Sequence, residues 1–546
     1  MTETGVHGAQ LVLLLLLLLV TAFSALARRL QTPYPIVLVI AGLLLSFIPG
    51  IPRVTLDPQL VFLVVLPPLL YAAAWQTSWR DLSCNFVNVA MLAFGLVAFT
   101  AAGVAVAGPW LFGGFDWRIG FVLGAAVATT DSIAATSIAK RIGLPKLVRD
   151  LLEGESLLND ATGLLALEFA TSLVVEGRTP TVGGGLLRLA YLIAGGVGIG
   201  LIAALLVEWF ERRIDDGPIE IGVSILVPYT AYLTSEALHA SGVLAVVTAG
   251  LYLSRKSSQF FSPGVRLQAY AVWQALEFIL NGFVFVLIGL QLPSVLEGVR
   301  ELTTGKAFLY GALFGVFLIL LRLLWTFPGA FVAIFIRRRL LHHNVAQPNV
   351  RQIFIIGWTG MRGVLALAAA MSLPSTRADG TPFPHRDLIV FLTFSVILVT
   401  LLGQGMTLPF LIRWLRLAQN SESIDEEQMA RRETLQAAVS RLEEIRRNDP
   451  AGPEALYDDV ALHYRSRLAS INRGGAEEDQ IRAAQFSRYV DVSRTLLDVE
   501  RETAVRLRDQ GMITDEVLRT LEYELDLAVS RFTAINDHTH PEAAPQ

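Results

Sequence analysis

The sequence predicts an all-α polytopic membrane protein with about thirteen spanning helices, followed by a helical cytoplasmic region. The 546-residue chain is 53% hydrophobic and 17% charged, with a mean hydropathy of +0.52, whereas soluble chains carry about 25% charged residues. Its apolar residues form runs of about 20, enough to cross about 30 Å of hydrocarbon. Past Leu417 the composition becomes rich in Glu, Asp and Arg, so the membrane part is expected to end there.

The apolar runs place each span along the chain to within about 4 residues. The first run has Glu3 before it and Arg28 and Arg29 after it, the reverse of the charge order of a signal peptide. We therefore expect it to be a retained span with the N-terminus outside. The predicted spans are 8–27, 34–50, 57–75, 86–109, 119–138, 148–174, 188–209, 219–237, 241–254, 270–291, 306–336, 351–373 and 387–415.

The distribution of Lys and Arg between the loops predicts the orientation. With the N-terminus outside, the inner loops hold about twice as many basic residues as the outer loops, as the positive-inside rule requires. The basic residues of the inner loops are Arg28, Arg29, Arg80, Lys140, Arg141, Lys146, Arg149, Arg212, Arg213, Arg255, Lys256, Arg266, Arg337, Arg338, Arg339 and Arg351. An odd number of spans puts the C-terminus in the cytoplasm of a multi-pass plasma-membrane protein.

Residues 418–546 are predicted to form a cytoplasmic helical tail behind a transmembrane domain of residues 1–417. Leu435, Val439 and Leu442 have helical spacing within this tail. It contains no catalytic motif, so we expect it to serve regulation or assembly.

Composition and motifs exclude several function classes. The net charge is −4, which gives no reason to expect nucleic-acid binding, and the single cysteine, Cys84, cannot form an internal disulfide. Gly305 and Lys306 are followed by Ala307 and lack the first glycine of a phosphate-binding loop. No Ser/His pair or metal-ligand set lies within the spans, so we expect neither an enzyme nor a cofactor.

Two polar clusters lie inside predicted spans, where a charged side chain costs at least ~2.5–3.5 kcal/mol on insertion scales. They are residues 129–132 (Thr-Thr-Asp-Ser) in the fifth span and 154–160 (Gly-Glu-Ser-Leu-Leu-Asn-Asp) in the sixth. Three other charges, Glu168, Glu236 and Arg322, are interpreted as structural, lying near span ends or pairing with each other.

The second cluster places its polar side chains on two adjoining helix faces. Ser156 and Asp160 are four residues apart and share one face, as do Glu155 and Asn159. Their oxygens are hard ligands suited to Na⁺ or Li⁺, and no imidazole or thiolate is present to favour a transition metal. Because a carboxylate holds either a proton or a cation, this cluster favours an exchange of the two. A structural polar cluster that joins helices is the alternative.

The twelfth span is predicted to be interrupted in segment 357–363 (Gly-Trp-Thr-Gly-Met-Arg-Gly), with the fifth span as its counterpart. Paired interrupted spans in the two halves of a transporter indicate its binding site; close helix packing is the alternative role for these glycines. Arg362 requires an anion nearby. We expect Glu155 to be that partner, which leaves Asp160 available to exchange its ligands.

These segments resemble the sodium/proton exchangers of the cation:proton antiporter superfamily, specifically the bacterial sodium/proton exchanger branch. The resemblance covers about residues 10–415, and its most specific part is the Glu-Ser-Leu-Leu-Asn-Asp stretch. The segments that carry it are 66–71 (Leu-Pro-Pro-Leu-Leu-Tyr), 130–131 (Thr-Asp), 154–161, 281–289 (Asn-Gly-Phe-Val-Phe-Val-Leu-Ile-Gly) and 357–363.

The resemblance implies a homodimer of thirteen-helix subunits with inverted repeats, in which two broken helices cross within a core domain that moves like an elevator. Its Asn-Asp pair is typical of the electroneutral branch, one cation for one proton. The implied ligands of the transported Na⁺ are Asp160, Ser156 and the Thr130 carbonyl, with Asp131 supporting the broken helix. The implied supporting network is Asn159 held by the pair of Glu155 and Arg362.

Two positions depart from the family pattern. Ser132 stands where relatives commonly have proline, and Ala72–Ala74 stand where relatives often have an acid. Asn281 is the position that we align with another family acid, and Glu277, one helical turn before it, is left outside the predicted site.

The sequence thus predicts a secondary active antiporter that exchanges Na⁺, or alternatively Li⁺ or K⁺, for H⁺ in pH and sodium homeostasis. The alternatives are a cation-coupled organic-solute symporter and a passive cation channel. A symporter would be expected to show further substrate-selective groups, which we cannot identify, and channels usually present filters or rings of like residues.

Overall fold

The computed structural model is all-helical in the part of the chain that it describes. Within that part no strand is formed, and an isolated β-bridge joins Thr376 to Pro382. The chain divides into two units, Met1–Gln419 and Asn420–Gln546. The described residues are 3–48, 57–131, 133, 135–137, 144–177, 182–214, 216–300, 303–339, 342, 349–417, 421–449, 453–471 and 477–539.

The first unit carries the apolar helices. They are α1 (Glu3–Arg29), α2 (Tyr34–Leu45), α3 (Pro58–Gln76), α4 (Trp79–Cys84), α5 (Phe86–Leu111), α6 (Trp117–Ala126), α7 (Lys146–Val175), α8 (Val182–Glu211), α9 (Gly217–Ala237), α10 (Gly242–Phe260), α11 (Pro263–Leu290), α12 (Leu292–Gly298), α13 (Thr304–Arg339), α14 (Val350–Trp358), α15 (Val364–Met371) and α16 (Arg386–Trp414).

Seven of the described helices are long and apolar enough to cross a membrane, namely α3, α5, α7, α8, α11, α13 and α16. Two shorter apolar helices, α2 and α6, accompany them. The all-α polytopic fold class is therefore confirmed, whereas the total of about thirteen spans stays a prediction.

A wide, π-helical turn in α5, Met91–Leu96, joins this helix to its neighbours. Such a turn leaves backbone carbonyl oxygens outside the regular hydrogen-bond ladder. The Met91 oxygen accepts from Trp325 Nε1 at 3.0 Å, and the Ala93 oxygen accepts from Thr162 Oγ1 at 2.6 Å. These hydrogen bonds join helix α5 to α13 and α7, the two helices that form the buried ion pair described below.

Close backbone packing fixes α11 against α2. A Cβ atom on Gly289 would lie 2.5 Å from the Val39 oxygen and 2.6 Å from the Leu43 nitrogen. Only glycine permits this approach, which is a common way of packing membrane helices. This contact fixes the C-terminal part of α11 against α2.

An ion pair outside the predicted spans joins α4 to the start of α7. Lys146 Nζ lies 2.8 Å from Asp81 Oδ2. The hydrogen bond that Lys146 donates holds the pKa of the Asp81 carboxyl below its ordinary value. The Asp81 carboxyl is therefore ionised at neutral pH, and this contact is lost only when the pH falls through the lowered pKa.

The second unit is helical and has its own small apolar core. Its helices are α17 (Ser421–Asn448), α18 (Glu454–Ile471), α19 (Glu477–Asp509) and α20 (Asp515–Thr539). Buried side chains of this unit include Leu435, Phe486, Val490 and Leu518. An ion pair of 2.9 Å between Arg446 Nη1 and Asp458 Oδ1 joins α17 to α18.

Candidate cation site

Two interrupted helices meet in the middle of the first unit. Helix α6 ends at Ala126, and the chain is not helical from Thr129 to Asp131. Helix α14 ends at Trp358 and α15 begins at Val364. The Asp131 nitrogen donates a hydrogen bond of 2.8 Å to the Met361 oxygen. The two unwound segments are thus in direct contact, as the paired polar and glycine segments predicted.

Two buried arginines each donate hydrogen bonds to carbonyl oxygens at the C-terminal end of one interrupted helix. Arg362 Nη1 donates to the Ala128 and Thr129 oxygens at 2.9 and 3.1 Å, beyond the end of α6. Arg322, from α13, donates to the Ile356 and Gly357 oxygens at 3.0 and 3.2 Å, at the end of α14. A cation at this position offsets the partial negative charge of the terminal carbonyls.

The partner of Glu155 is Arg322, so the predicted pair of Glu155 with Arg362 is wrong. Arg322 Nη1 lies 2.5 Å from Glu155 Oε1, and Nη2 lies 2.8 Å from Oε2. Both residues are 1% exposed. Gly360 makes room for the pair, because a Cβ atom there would collide with the Arg322 side chain. Arg362 instead donates hydrogen bonds to backbone carbonyl oxygens at the α6 break.

Of the three charges interpreted as lying near span ends or pairing with each other, Glu236 lies near the end of its helix, whereas Glu168 and Arg322 each pair with a different residue. Glu168 pairs with Arg188 at 3.2 Å, and both side chains are exposed. Glu236 lies one residue before the end of α9. Arg322 lies inside α13, fully buried, and pairs with the site helix α7.

Asn159 is held by Thr130. Its Nδ2 donates to Thr130 Oγ1, and Thr130 Oγ1 donates to Glu155 Oε1 at 3.1 Å. Asn159 therefore reaches the Glu155–Arg322 pair through a hydroxyl rather than directly. Its buried Oδ1 has no hydrogen-bond partner among the described residues.

Ser156 and Asp160 lie on the other face of α7, toward a cavity of about 140 Å³. Ser156 Oγ donates to the Thr130 oxygen at 3.0 Å, so this hydroxyl and this carbonyl lie side by side. Thr130, Asp131, Ser156 and Asp160 all line the cavity. The helix therefore separates its polar residues as the four-residue spacing predicted, with Glu155 and Asn159 in the protein interior.

Asp131 caps the helical turn that follows the break. Its Oδ1 accepts a hydrogen bond of 2.8 Å from the Ile133 nitrogen, the geometry of a helix N-cap. Gly363 lies so close that a Cβ atom there would collide with the Asp131 carboxylate. The predicted effect of Ser132 lies outside the described residues.

The predicted site did not include two acids of this cavity. Glu153 and Glu277 line it together with Asp131 and Asp160. A signal for Glu153 was its spacing of seven residues from Asp160, which puts both on one helix face. Glu277 had been considered and left outside the predicted site, although it lies one helical turn before Asn281, which also lines the cavity.

An all-helical membrane protein whose interrupted helices meet beside an acidic cavity belongs to the class of secondary transporters for cations. Comparisons with known proteins narrow this class. The family model described as "Sodium/hydrogen exchanger, transmembrane" matches residues 14–414. The chain belongs to the sodium/hydrogen exchanger family, so the predicted family is confirmed, and the protein is an antiporter rather than an enzyme.

Individual relatives agree with the family. An uncharacterized Na⁺/H⁺ exchanger of Mycobacterium tuberculosis is 32% identical over 96% of this chain and 96% of its own length. A sodium, potassium, lithium and rubidium/H⁺ antiporter of Bacillus pumilus is 32% identical over 85% of this chain and 70% of its own. The fold is similar to that of the sodium proton antiporter MjNhaP1 from Methanocaldococcus jannaschii, with a TM-score of 0.59 and 20% identity over 74% of this chain and 98% of that one.

Proposed function

We propose that this antiporter exchanges one monovalent cation for one proton at Asp160, with Na⁺ as the first candidate and Li⁺ or K⁺ as alternatives. The observation that carries the proposal is that Asp160 lines the cavity at the helix breaks together with Ser156 and Thr130, whose hydroxyl and carbonyl oxygen are hydrogen-bonded to each other. No Lys, Arg or His is among the described residues that line this cavity. A cation therefore meets only acidic, neutral polar and apolar groups there.

The exchange follows from competition for one carboxylate. Ionised Asp160 offers a cation an anionic oxygen ligand, and protonation removes that charge. Glu155 does not compete for the cation, because Arg322 already neutralises it. Asn159 is uncharged. The site thus has the same net charge with either ligand bound, which makes the exchange electroneutral.

We propose that the transmembrane unit has thirteen spans arranged as inverted repeats. Two copies of the chain then form a homodimer in the plasma membrane. The two interrupted helices lie in different halves of the membrane unit, α6 in the first and α14–α15 in the second, which supports the repeat. The loop charges support an outer N-terminus and a cytoplasmic C-terminus. The partners are then the transported ions, the lipid bilayer and a second copy of the chain.

The two parts of the chain have different proposed roles. Residues 1–417 form the exchanger domain, and residues 418–546 form a cytoplasmic helical tail for regulation or assembly. The division of the chain after Gln419 and the separate apolar core of the tail support this arrangement. The proposed physiological role is pH and sodium homeostasis.

The alternative transport modes fit the cavity less well. A volume of about 140 Å³ is below the ~300–1,000 Å³ that organic ligands generally occupy, which disfavours an organic-solute symporter. A channel would require a continuous path lined by rings of like residues. The two helix breaks that line this cavity are instead closely packed, because Gly363 and Asp131 lie in close approach.

The test is exchange in inside-out membrane vesicles with a preset proton gradient, to which Na⁺, Li⁺ or K⁺ is added separately. Wild type should dissipate the gradient with at least one cation, and Asp160→Asn should lose essentially all of this activity while still inserting and folding. Asp116→Asn, an exposed acid at the start of α6, is the matched control and should retain exchange. Undiminished exchange by Asp160→Asn would overturn the proposed site.

A further inference from the structure

The cavity carries two acids, Glu153 and Glu277, that the proposed exchange step does not use. Both line it together with Asp160. Glu153 lies seven residues before Asp160 on α7, which places it on the same face at an axial distance of about 10 Å. Glu277 comes from α11 and accepts a hydrogen bond of 2.8 Å from Gln76 Nε2.

These two acids lie on the side of the cavity that the loop charges assign to the cytoplasm. Gln76 is the last residue of α3, and Thr77, which follows it, also lines the cavity. Glu153 lies in the second turn of α7. Both helix ends adjoin loops that are predicted to be cytoplasmic. A cation that comes from the cytoplasm therefore passes these carboxylates before it reaches Asp160.

The electrostatics of the cavity favour the capture of cations. Four of the described lining residues are acidic and none is basic, and low-dielectric walls concentrate such a field and raise the local cation concentration. Thr129 Oγ1 and Asn281 Nδ2 are buried and have no hydrogen-bond partner among the described residues, and both side chains belong to the lining. Buried polar atoms without partners indicate a place for a hydrated ligand.

We propose that Glu277, together with Glu153, captures the monovalent cation at the cytoplasmic mouth and sets the apparent affinity at that face. The inference rests on the proposed exchange at Asp160 and adds a residue that determines substrate access. Ala73, within the segment where relatives often carry an acid, lines the same cavity. Glu277 on α11 thus provides the cavity with a carboxylate. The residues of α3 that line the cavity provide none.

The experiment measures initial exchange rates of Glu277→Gln against cation concentration on each membrane face. In inside-out vesicles, where the cation meets the cytoplasmic face, the apparent KM should rise about five- to tenfold, because one unit charge is removed from a poorly screened path. The maximal rate should stay within about twofold of wild type. In right-side-out vesicles the KM should not change.

Further variants separate charge from structure. Glu277→Asp keeps the carboxylate and should restore most of the affinity, and Glu153→Gln should raise the same KM. The KM difference between Glu277→Gln and wild type should shrink at high ionic strength, because salt screens the lost charge. The matched control is Glu168→Gln, on the same helix as Glu153 but exposed and paired with Arg188, and it should leave the KM unchanged.

Two results would overturn the role of Glu277. One is an unchanged KM at the cytoplasmic face, and the other is a loss of maximal rate with no change in KM. If instead the wild-type protein shows no exchange, or Asp160→Asn exchanges normally, the proposed function itself fails.

Discussion

At the scale of single residues, the site depends on two buried arginines with different partners. Arg322 neutralises Glu155 and donates hydrogen bonds to carbonyl oxygens at the end of α14, whereas the Arg362 side chain donates to backbone carbonyl oxygens at the α6 break. Each arginine lies in the middle of a predicted span, so the sequence contained no signal that decides which of them pairs with Glu155. Which arginine pairs with Glu155 depends on which helix packs beside Glu155 in the folded protein.

Breaking the buried pair should be costly. Arg322→Ala leaves Glu155 buried without its counter-charge, which should lower the free energy of unfolding by about 3–5 kcal/mol. Thermal unfolding of the detergent-solubilised protein measures this loss. The double variant Glu155→Gln with Arg322→Met should recover much of the stability, because no unpaired charge then remains.

Arg362→Ala serves as the comparison for this prediction. It should leave the Glu155–Arg322 pair intact, and adding Glu155→Gln to it should bring no recovery. If Glu155→Gln rescued Arg362→Ala but not Arg322→Ala, the observed pairing would be contradicted.

At the scale of helices, the interruptions are set by contacts between distant segments. The glycines of segment 357–363 indicated one break from the sequence alone, and the structure has it between α14 and α15. The end of α6 was harder to place, because the chain there is held by the Met361 oxygen and the Arg362 guanidinium. A π-helical turn in α16, Val399–Gln404, adds Thr400, whose Oγ1 accepts from the Arg362 nitrogen at 3.1 Å.

A single methyl group should disturb the break. In Gly360→Ala the new Cβ atom would collide with Arg322, whose guanidinium is fixed by Glu155 and two carbonyls. We expect a loss of about 1–3 kcal/mol, as for other overpacked sites, and reduced exchange, measured by thermal unfolding and vesicle assays.

Gly403→Ala is the control for this prediction, since nothing lies within 4 Å of a Cβ atom at that position. It should be neutral or slightly stabilising. Equal effects of the two substitutions would show that Arg322 does not occupy the space beside Gly360.

At the scale of the whole molecule, composition alone predicted a membrane part followed by a tail. The change after Leu417 predicted a boundary that differs by two residues from the division after Gln419. The positions of the apolar helices were likewise readable from hydropathy, because each must cover the same hydrocarbon thickness. The cavity could not be predicted from hydropathy, because α3, α7, α11 and α15 all contribute residues to it.

Removal of the tail should leave the exchanger folded. The main apolar cluster runs from Leu16 to Leu417 and contains no described residue of the second unit. A chain that ends at Gln419 should therefore insert into the membrane and keep measurable exchange, as shown by size-exclusion chromatography and the vesicle assay. Failure to insert, with full-length protein inserted in parallel, would contradict two independent folding units.

The central claim, that a cation and a proton compete for Asp160, is tested most directly by counting protons. Purified protein is held in weakly buffered detergent solution with a pH indicator, at a pH where the site is protonated, and the transported cation is added. Wild type should release about one proton for each cation bound, and Asp160→Asn should release none. Cation binding without proton release by wild type, or equal release by Asp160→Asn, would show that the two ions do not compete for this carboxylate.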